Sequence, residues 1–125
     1  MPDVMVIDAN QSIRMMLSAG LKGFGFSVIE ADSYEVAQVK FEAGEIPLVV
    51  IVDFLRNDDT AQEFITLLRD TPAYKSIKVI IATVNSLSDE EQNALSVDAV
   101  IVKPVDLSQL VKVVYLFRGS TGKLG

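Results

Sequence analysis

Five apolar runs rich in β-branched residues punctuate the chain, beginning near residues 4, 26, 48, 78 and 98. Four of them carry nearly continuous apolar stretches: Val4-Met5-Val6-Ile7, Leu48-Val49-Val50-Ile51-Val52, Val79-Ile80-Ile81-Ala82 and Val100-Ile101-Val102. A strand reads this way when both of its faces are buried, as in a parallel sheet covered by helices on each side. The fifth run, Phe26-Ser27-Val28-Ile29-Glu30, alternates in part and predicts an edge strand.

The segments between the runs carry helical periodicity and helix punctuation. Residues 12–21 place Ile13, Met16 and Leu17 on one face, with Gly23 as the stop. Ser33 predicts a cap for a helix through Phe41 that ends before Gly44. Thr60 and Glu63 form a capping-box pattern ahead of Phe64, Leu67 and Leu68, and Pro72 terminates that helix. Ser88 and Glu91 repeat the box for a short helix to Leu95. Asp106 caps the last helix, where Leu107, Leu110, Val111 and Val114 share a face.

Strand and helix therefore alternate five times, which predicts an α/β fold with a five-stranded parallel sheet, doubly wound as (βα)5. Right-handed crossovers bring the C-terminal ends of all strands to one edge. Fold preference gives the flavodoxin-like strand order 2-1-3-4-5, with the ligand crevice between strands 1 and 3. Residues 1–118 are expected to form one domain. Residues 119–125 have linker composition and are expected to be a disordered tail or linker.

Four polar residues close four of the runs: Asp8, Asp53, Thr83 and Lys103, the last preceding Pro104. In the expected strand order Asp8 and Asp53 flank the crevice, and Thr83 and Lys103 follow on the next two strands. Two carboxylates, a hydroxyl and an ammonium on one edge suit the handling of a phosphoryl group and a hard metal ion. Each residue also has a plainer reading. A strand-ending Asp can hold a turn, Thr is favoured in strands, and a Lys before Pro can be a solvated strand end.

Composition removes other chemistries. The 125 residues contain neither cysteine nor histidine. Disulfides, thiolate ligands, imidazole ligands and His-based catalysis are thereby excluded. The net charge of −6 disfavours nucleic acid and anionic membranes as partners. No apolar stretch is long enough for a membrane span, and no basic stretch precedes the first apolar run, so a cytoplasmic location is expected.

With these residues in this order, the chain from residue 3 to about 117 resembles the receiver domains of two-component response regulators. The resemblance rests on Asp8, Asp53, Thr83 and Lys103-Pro104. It implies that Asp53 is a phosphoacceptor, taking a phosphoryl group from a histidine kinase, a phosphotransfer protein or a small phosphodonor. A carboxylate serves as nucleophile without a base, because it is an anion at neutral pH. The resemblance further implies Mg²⁺ held by Asp8, Asp53 and the Leu55 backbone carbonyl. Lys103 would neutralise phosphoryl oxygens, and Thr83 would donate a hydrogen bond and shift. The chain would then be a switch acting on a downstream effector protein. Self-catalysed phosphoryl transfer and hydrolysis would be its only chemistry.

Several positions depart from the family pattern. Ala9 stands where a second acidic residue is usual. Two unit charges about 4 Å apart interact by about 4 kcal/mol at an effective dielectric near 20, so losing one ligand weakens Mg²⁺ binding by up to roughly a thousandfold. An inward turn of Asp8, or an oxygen from Asn10, would offset that loss. Val84 replaces a usual Ala and is expected to crowd the phosphoryl pocket. Val100 replaces the usual aromatic, which removes the familiar Thr–aromatic relay. Asn57 and Ala61 replace a Pro and a Gly and are expected to alter the loop after the phosphoacceptor. Asp58-Asp59 reads as solvated loop, and Arg56 as surface or as a charge near Asp53.

Two readings follow: a phosphoacceptor with a rearranged output face, or a phosphorylation-independent interaction module. Retention of Asp53, Thr83 and Lys103 favours the first. A flavodoxin-like cofactor binder or small hydrolase is disfavoured, because Ala9-Asn10-Gln11-Ser12 stands where a Gly-rich phosphate loop would follow strand 1. No output domain fits between residue 117 and residue 125, so action through a partner protein, or through a domain outside this sequence, is expected. Tyr115 and Phe117 either anchor that partner or cover the sheet.

Overall fold

A computed structural model describes residues 2–55 and 59–119. Its elements, in chain order, are β1 (Val4–Ile7), α1 (Gln11–Gly23), β2 (Val28–Ala31), α2 (Tyr34–Glu42) and β3 (Val49–Asp53). There follow α3 (Asp59–Asp70), β4 (Lys78–Thr83), α4 (Asp89–Leu95), β5 (Ala99–Val102) and α5 (Leu107–Gly119). The five strands form one parallel sheet in the order β2-β1-β3-β4-β5. The alternating strand, β2, lies at one edge, as its pattern predicts.

Alternate side chains of the central strands enter two separate apolar layers. Met5, Ile7, Val50, Val52, Val79 and Ile81 face Ala37 and Phe41 of α2 and Phe64, Ile65 and Leu68 of α3. Val4, Val6, Val49, Ile51, Ile80 and Ile101 face Leu17 and Leu21 of α1 and Leu110, Val111 and Val114 of α5. This two-sided burial is why the runs are continuous in sequence. Each fully buried aliphatic or aromatic side chain contributes roughly 1.5–3 kcal/mol. Helix α4 has no buried residue and lies on the first layer chiefly through Leu95.

Most helix signals act as read. Ser33 accepts a hydrogen bond from the Val36 amide, and Ser88 and Glu91 complete a reciprocal capping box. Asp106 accepts from the Ser108 amide at 2.9 Å.

Three expectations need correction and one is refined: α1 stops at Gly23, as read, while Gly25 carries the left-handed φ of +92° that turns the chain into β2. Several local hydrogen bonds determine which glycine turns, and composition does not encode them. Thr60 lies inside the first turn of α3, because Asp59 already belongs to the helix, so Thr60 is not the cap residue. Ala61 likewise is a buried helical residue and not part of a loop. Met16 is 60% exposed, because α1 turns the stripe containing Ile13, Leu17 and Leu21 inward and leaves Met16 on its flank.

The readings of Arg56, Asn57 and Asp58, and of the tail beyond Gly119, fall outside the described residues. No helix among the described residues is long and apolar enough to cross a membrane.

Candidate functional site at the carboxyl edge of the sheet

Asp53 is the last residue of β3 and pairs with Ala82 of β4. Lys103 immediately follows β5, and its amide donates to the Thr83 carbonyl at 2.7 Å. The Lys103 ammonium forms an ion pair with Asp53 Oδ1. These two residues lie on strands separated by β4. At a strand spacing near 4.8 Å the gap is about 10 Å, which a lysine stem and an aspartate side chain bridge together. The alignment follows from parity. Asp53 continues the series Val49 and Ile51, and Lys103 continues Ala99 and Ile101, all in the layer of α1 and α5. The side chains are 25% and 30% exposed, so the pair is neither dry nor fully solvated. The Lys103–Pro104 peptide is cis.

Asp8 follows β1 directly, one step beyond the Ile7–Val52 pair, and so stands beside Asp53 on the neighbouring strand. It is only 7% exposed. Its amide donates to the Ala31 carbonyl at 3.1 Å. Its Oδ1 accepts the Asn10 amide at 2.8 Å, and its carbonyl accepts Arg14 Nη1 at 2.8 Å. Arg14 Nε in turn donates to Glu30 Oε1 at 3.1 Å.

Thr83 closes β4 and is 3% exposed. It shares the parity of Val79 and Ile81, the layer opposite that of Asp53 and Lys103. Among the described residues its side chain bonds neither Asp53 nor Lys103. Leu55 lies two residues past β3, with its side chain exposed. The structure thus joins Asp53 and Lys103 by contact, sets Asp8 next to them by register, and holds Thr83 at the adjoining strand end.

Two neighbouring residues bear on this pocket. Val84 is 62% exposed and follows β4 directly, between the strands that lead to Asp53 and Lys103. Asn10 caps α1, its Oδ1 accepting the Ile13 amide at 3.0 Å. Val100 is partly buried against the layer of α2 and α3, and no aromatic ring occupies that position.

The donor set fits a hard divalent cation of the magnesium type. All candidate ligands are oxygens, and Mg²⁺ is commonly held by one or two carboxylates, substrate phosphate and water. Two carboxylates supply that minimum. No group of three or more acidic ligands gathers among the described residues, so a full protein cage is not formed there.

Sequence reasoning missed Arg14, which touches both Asp8 and Glu30. Its partners lie 6 and 16 residues away, and no short-range pattern marks them. Asn10 immediately before a periodic segment is a cap signal that could have been read as one. A cavity of about 770 Å³ opens at the opposite edge of the sheet, near Leu48, Lys78 and Asp98, and takes no part in this constellation.

A doubly wound α/β domain with acid, acid, hydroxyl and lysine on one carboxyl edge is the class these observations define. A model of the response regulator receiver domain matches residues 4–115, and the chain belongs to that family. Among solved structures, the chemotaxis protein CheY4 of Vibrio cholerae is 25% identical, with a TM-score of 0.81. The alignment covers 94% of this chain and 98% of that one. A response regulator from Thermotoga maritima is 24% identical with a TM-score of 0.78, covering 94% and 98%. The receiver domain of a histidine kinase from Syntrophus aciditrophicus is 20% identical with a TM-score of 0.79, covering 100% and 96%. The latter two show likeness of fold. No curated protein matches the chain.

Membership of the family carries its general character. Receiver domains are signal receivers of phosphorelays and typically switches, not enzymes. They generally bind Mg²⁺ at an acidic pocket, and they interact with a histidine kinase or phosphotransfer protein and with a downstream effector.

Proposed function

We propose that this domain accepts a phosphoryl group on Asp53 and converts its arrival into altered binding of a partner protein. The supporting observation is the ion pair between Lys103 and Asp53 at the carboxyl edge of the sheet. It keeps one cation on the nucleophile and within reach of any phosphoryl group transferred to it.

In the proposed reaction an Asp53 carboxylate oxygen attacks phosphorus. A P–O bond forms, and the bond to the donor, a phosphohistidine or a small acyl phosphate, breaks with its electron pair leaving on the donor. Lys103 then shifts its charge from the carboxylate to the phosphoryl oxygens, a contact between opposite charges that strengthens as charge develops. Thr83 supplies a hydroxyl donor from β4. A bound Mg²⁺, with Asp8, Asp53 and the Leu55 carbonyl as its protein ligands, would neutralise the remaining phosphoryl charge. Water attack on the acyl phosphate resets the switch. With Val at position 100, the output is carried by Thr83 and the β4–α4 segment without an aromatic relay. α4 buries no residue of its own, so little packing opposes its displacement.

The test is intact-mass spectrometry after incubation with acetyl phosphate and Mg²⁺. One phosphoryl adduct is expected on the native chain and none on Asp53→Asn. Absence of the adduct at saturating donor and Mg²⁺ overturns this function. It would favour a phosphorylation-independent interaction module, the reading for which Ala9 speaks.

A further inference from the structure

We infer that Arg14 is a positioning residue for the divalent-cation site, setting the direction of the Asp8 carboxylate. The inference rests on the cation-assisted function proposed above. Asp8 lies just beyond β1, so the sheet ladder alone does not orient it. Its peptide is held on both sides: the amide by the Ala31 carbonyl, and the carbonyl by Arg14 Nη1 at 2.8 Å. Arg14 is itself anchored, because its Nε meets Glu30 Oε1 at 3.1 Å and its side chain is only 15% exposed. Glu30 sits on β2 opposite Val6. The guanidinium therefore bridges the ends of two adjacent strands through directional, charge-assisted bonds.

With the backbone held there, the Asn10 amide takes Oδ1 of Asp8 at 2.8 Å, which fixes the turn of the carboxylate at the strand end. Ala9 contributes no second carboxylate from this strand end. The orientation of one aspartate then carries all that β1 offers the ion. Outer groups that orient metal ligands typically change affinity by about 10–100-fold when removed.

The sign of the effect separates positioning from simple electrostatics. Arg14 is a cation near a cation site, so its charge alone opposes metal binding. Arg14→Met would tighten Mg²⁺ binding if only that charge mattered. Positioning predicts the reverse: about tenfold weaker binding or more. Arg14→Lys keeps the charge but loses the two-pronged geometry, and it is expected to weaken binding as well.

The experiment is a titration of the full chain with Mg²⁺ alone, followed through the backbone amide resonances of Asn10 and Asp53. Weaker binding in both variants, together with no further effect of Arg14→Met in an Asp8→Ala background, supports the inference. Equal or tighter binding in Arg14→Met, or an undiminished effect without Asp8, overturns it while leaving the proposed function intact. Failure of the native chain to bind Mg²⁺ removes the cation-assisted reading and this inference with it. Arg14→Lys retains the stem and charge, so a loss of folding in Arg14→Met alone does not obscure the result.

Discussion

Lys103 and Asp53, fifty positions apart in the chain, form an ion pair that passes over the end of β4. Ala82 of β4 pairs with Asp53 on one side and with Ile101, two residues before Lys103, on the other. A pair that is about a quarter to a third exposed adds little to stability, on the order of 0.2–1 kcal/mol.

Lys103→Met is expected to lower the rate of phosphorylation at Asp53 at least about tenfold, since one charge that stabilises the transferred group is gone. Stability should change by less than about 1 kcal/mol. Urea titration and time-resolved intact mass check the two arms. A normal rate with a large loss of stability would reverse the assignment of the pair from functional to structural.

Ala9→Asp is expected to tighten Mg²⁺ binding. The ceiling is roughly a thousandfold, from about 4 kcal/mol for charges near 4 Å at an effective dielectric of about 20. Without the ion, the added carboxylate beside Asp8 and Asp53 should lower stability, because three like charges then share one edge. Isothermal titration and thermal unfolding with and without Mg²⁺ measure both signs. Unchanged affinity would mean that position 9 does not face the ion.

Arg69→Ala is expected to cost about 2–3 kcal/mol. Arg69 donates to the carbonyls of Ser96, Lys75 and Ile77 and to Asp98 Oδ2. It thereby ties α3 to the connections entering β4 and β5. Hydrogen exchange should accelerate first in α4, whose left-handed C-cap, Ser96, is one of these partners. A cost below about 0.5 kcal/mol would place Arg69 among ordinary surface residues.

Phe64→Ala is expected to cost about 3–5 kcal/mol, as truncation of a buried aromatic does. The ring stacks on Tyr34 at 4.7 Å and lies 6.2 Å from Phe41, which joins α3 to α2. Phe64→Leu, which retains most of the volume, should cost clearly less. Equal costs for both would mean that the ring stacking, and not cavity formation, dominates.

The strands were readable because burial on both faces leaves a run of β-branched residues that few other structures produce. The capping box of Ser88 and Glu91 was readable because both partners lie within one turn. What escaped the sequence depends on contacts made in three dimensions. Gly25, not Gly23, carries the positive φ, because amides of Phe24, Gly25 and Phe26 return to the last turn of α1. Met16 fits an apolar stripe by type, but its place 60° from Ile13 around the helix leaves it on the rim of the buried face. At the site, four strand-ending residues could be picked out individually. Bringing Asp8, Asp53 and Lys103 together required the strand order, which fold preference supplied and the sheet displays. The Arg14–Glu30 brace had no such preference to reveal it. Tyr115 illustrates a mixed outcome: its ring packs 4.8 Å from Phe26, yet the residue stays exposed beside Leu116.

The most direct test of the central claim is chemical mapping of the phosphorylated residue. The chain is treated with acetyl phosphate and Mg²⁺ and then reduced with borohydride, which converts an acyl phosphate to an alcohol. Its peptides are then sequenced by mass spectrometry. Conversion of Asp53 alone to homoserine is the predicted result. Conversion at Asp8, or at no aspartate while the native fold persists, would contradict it.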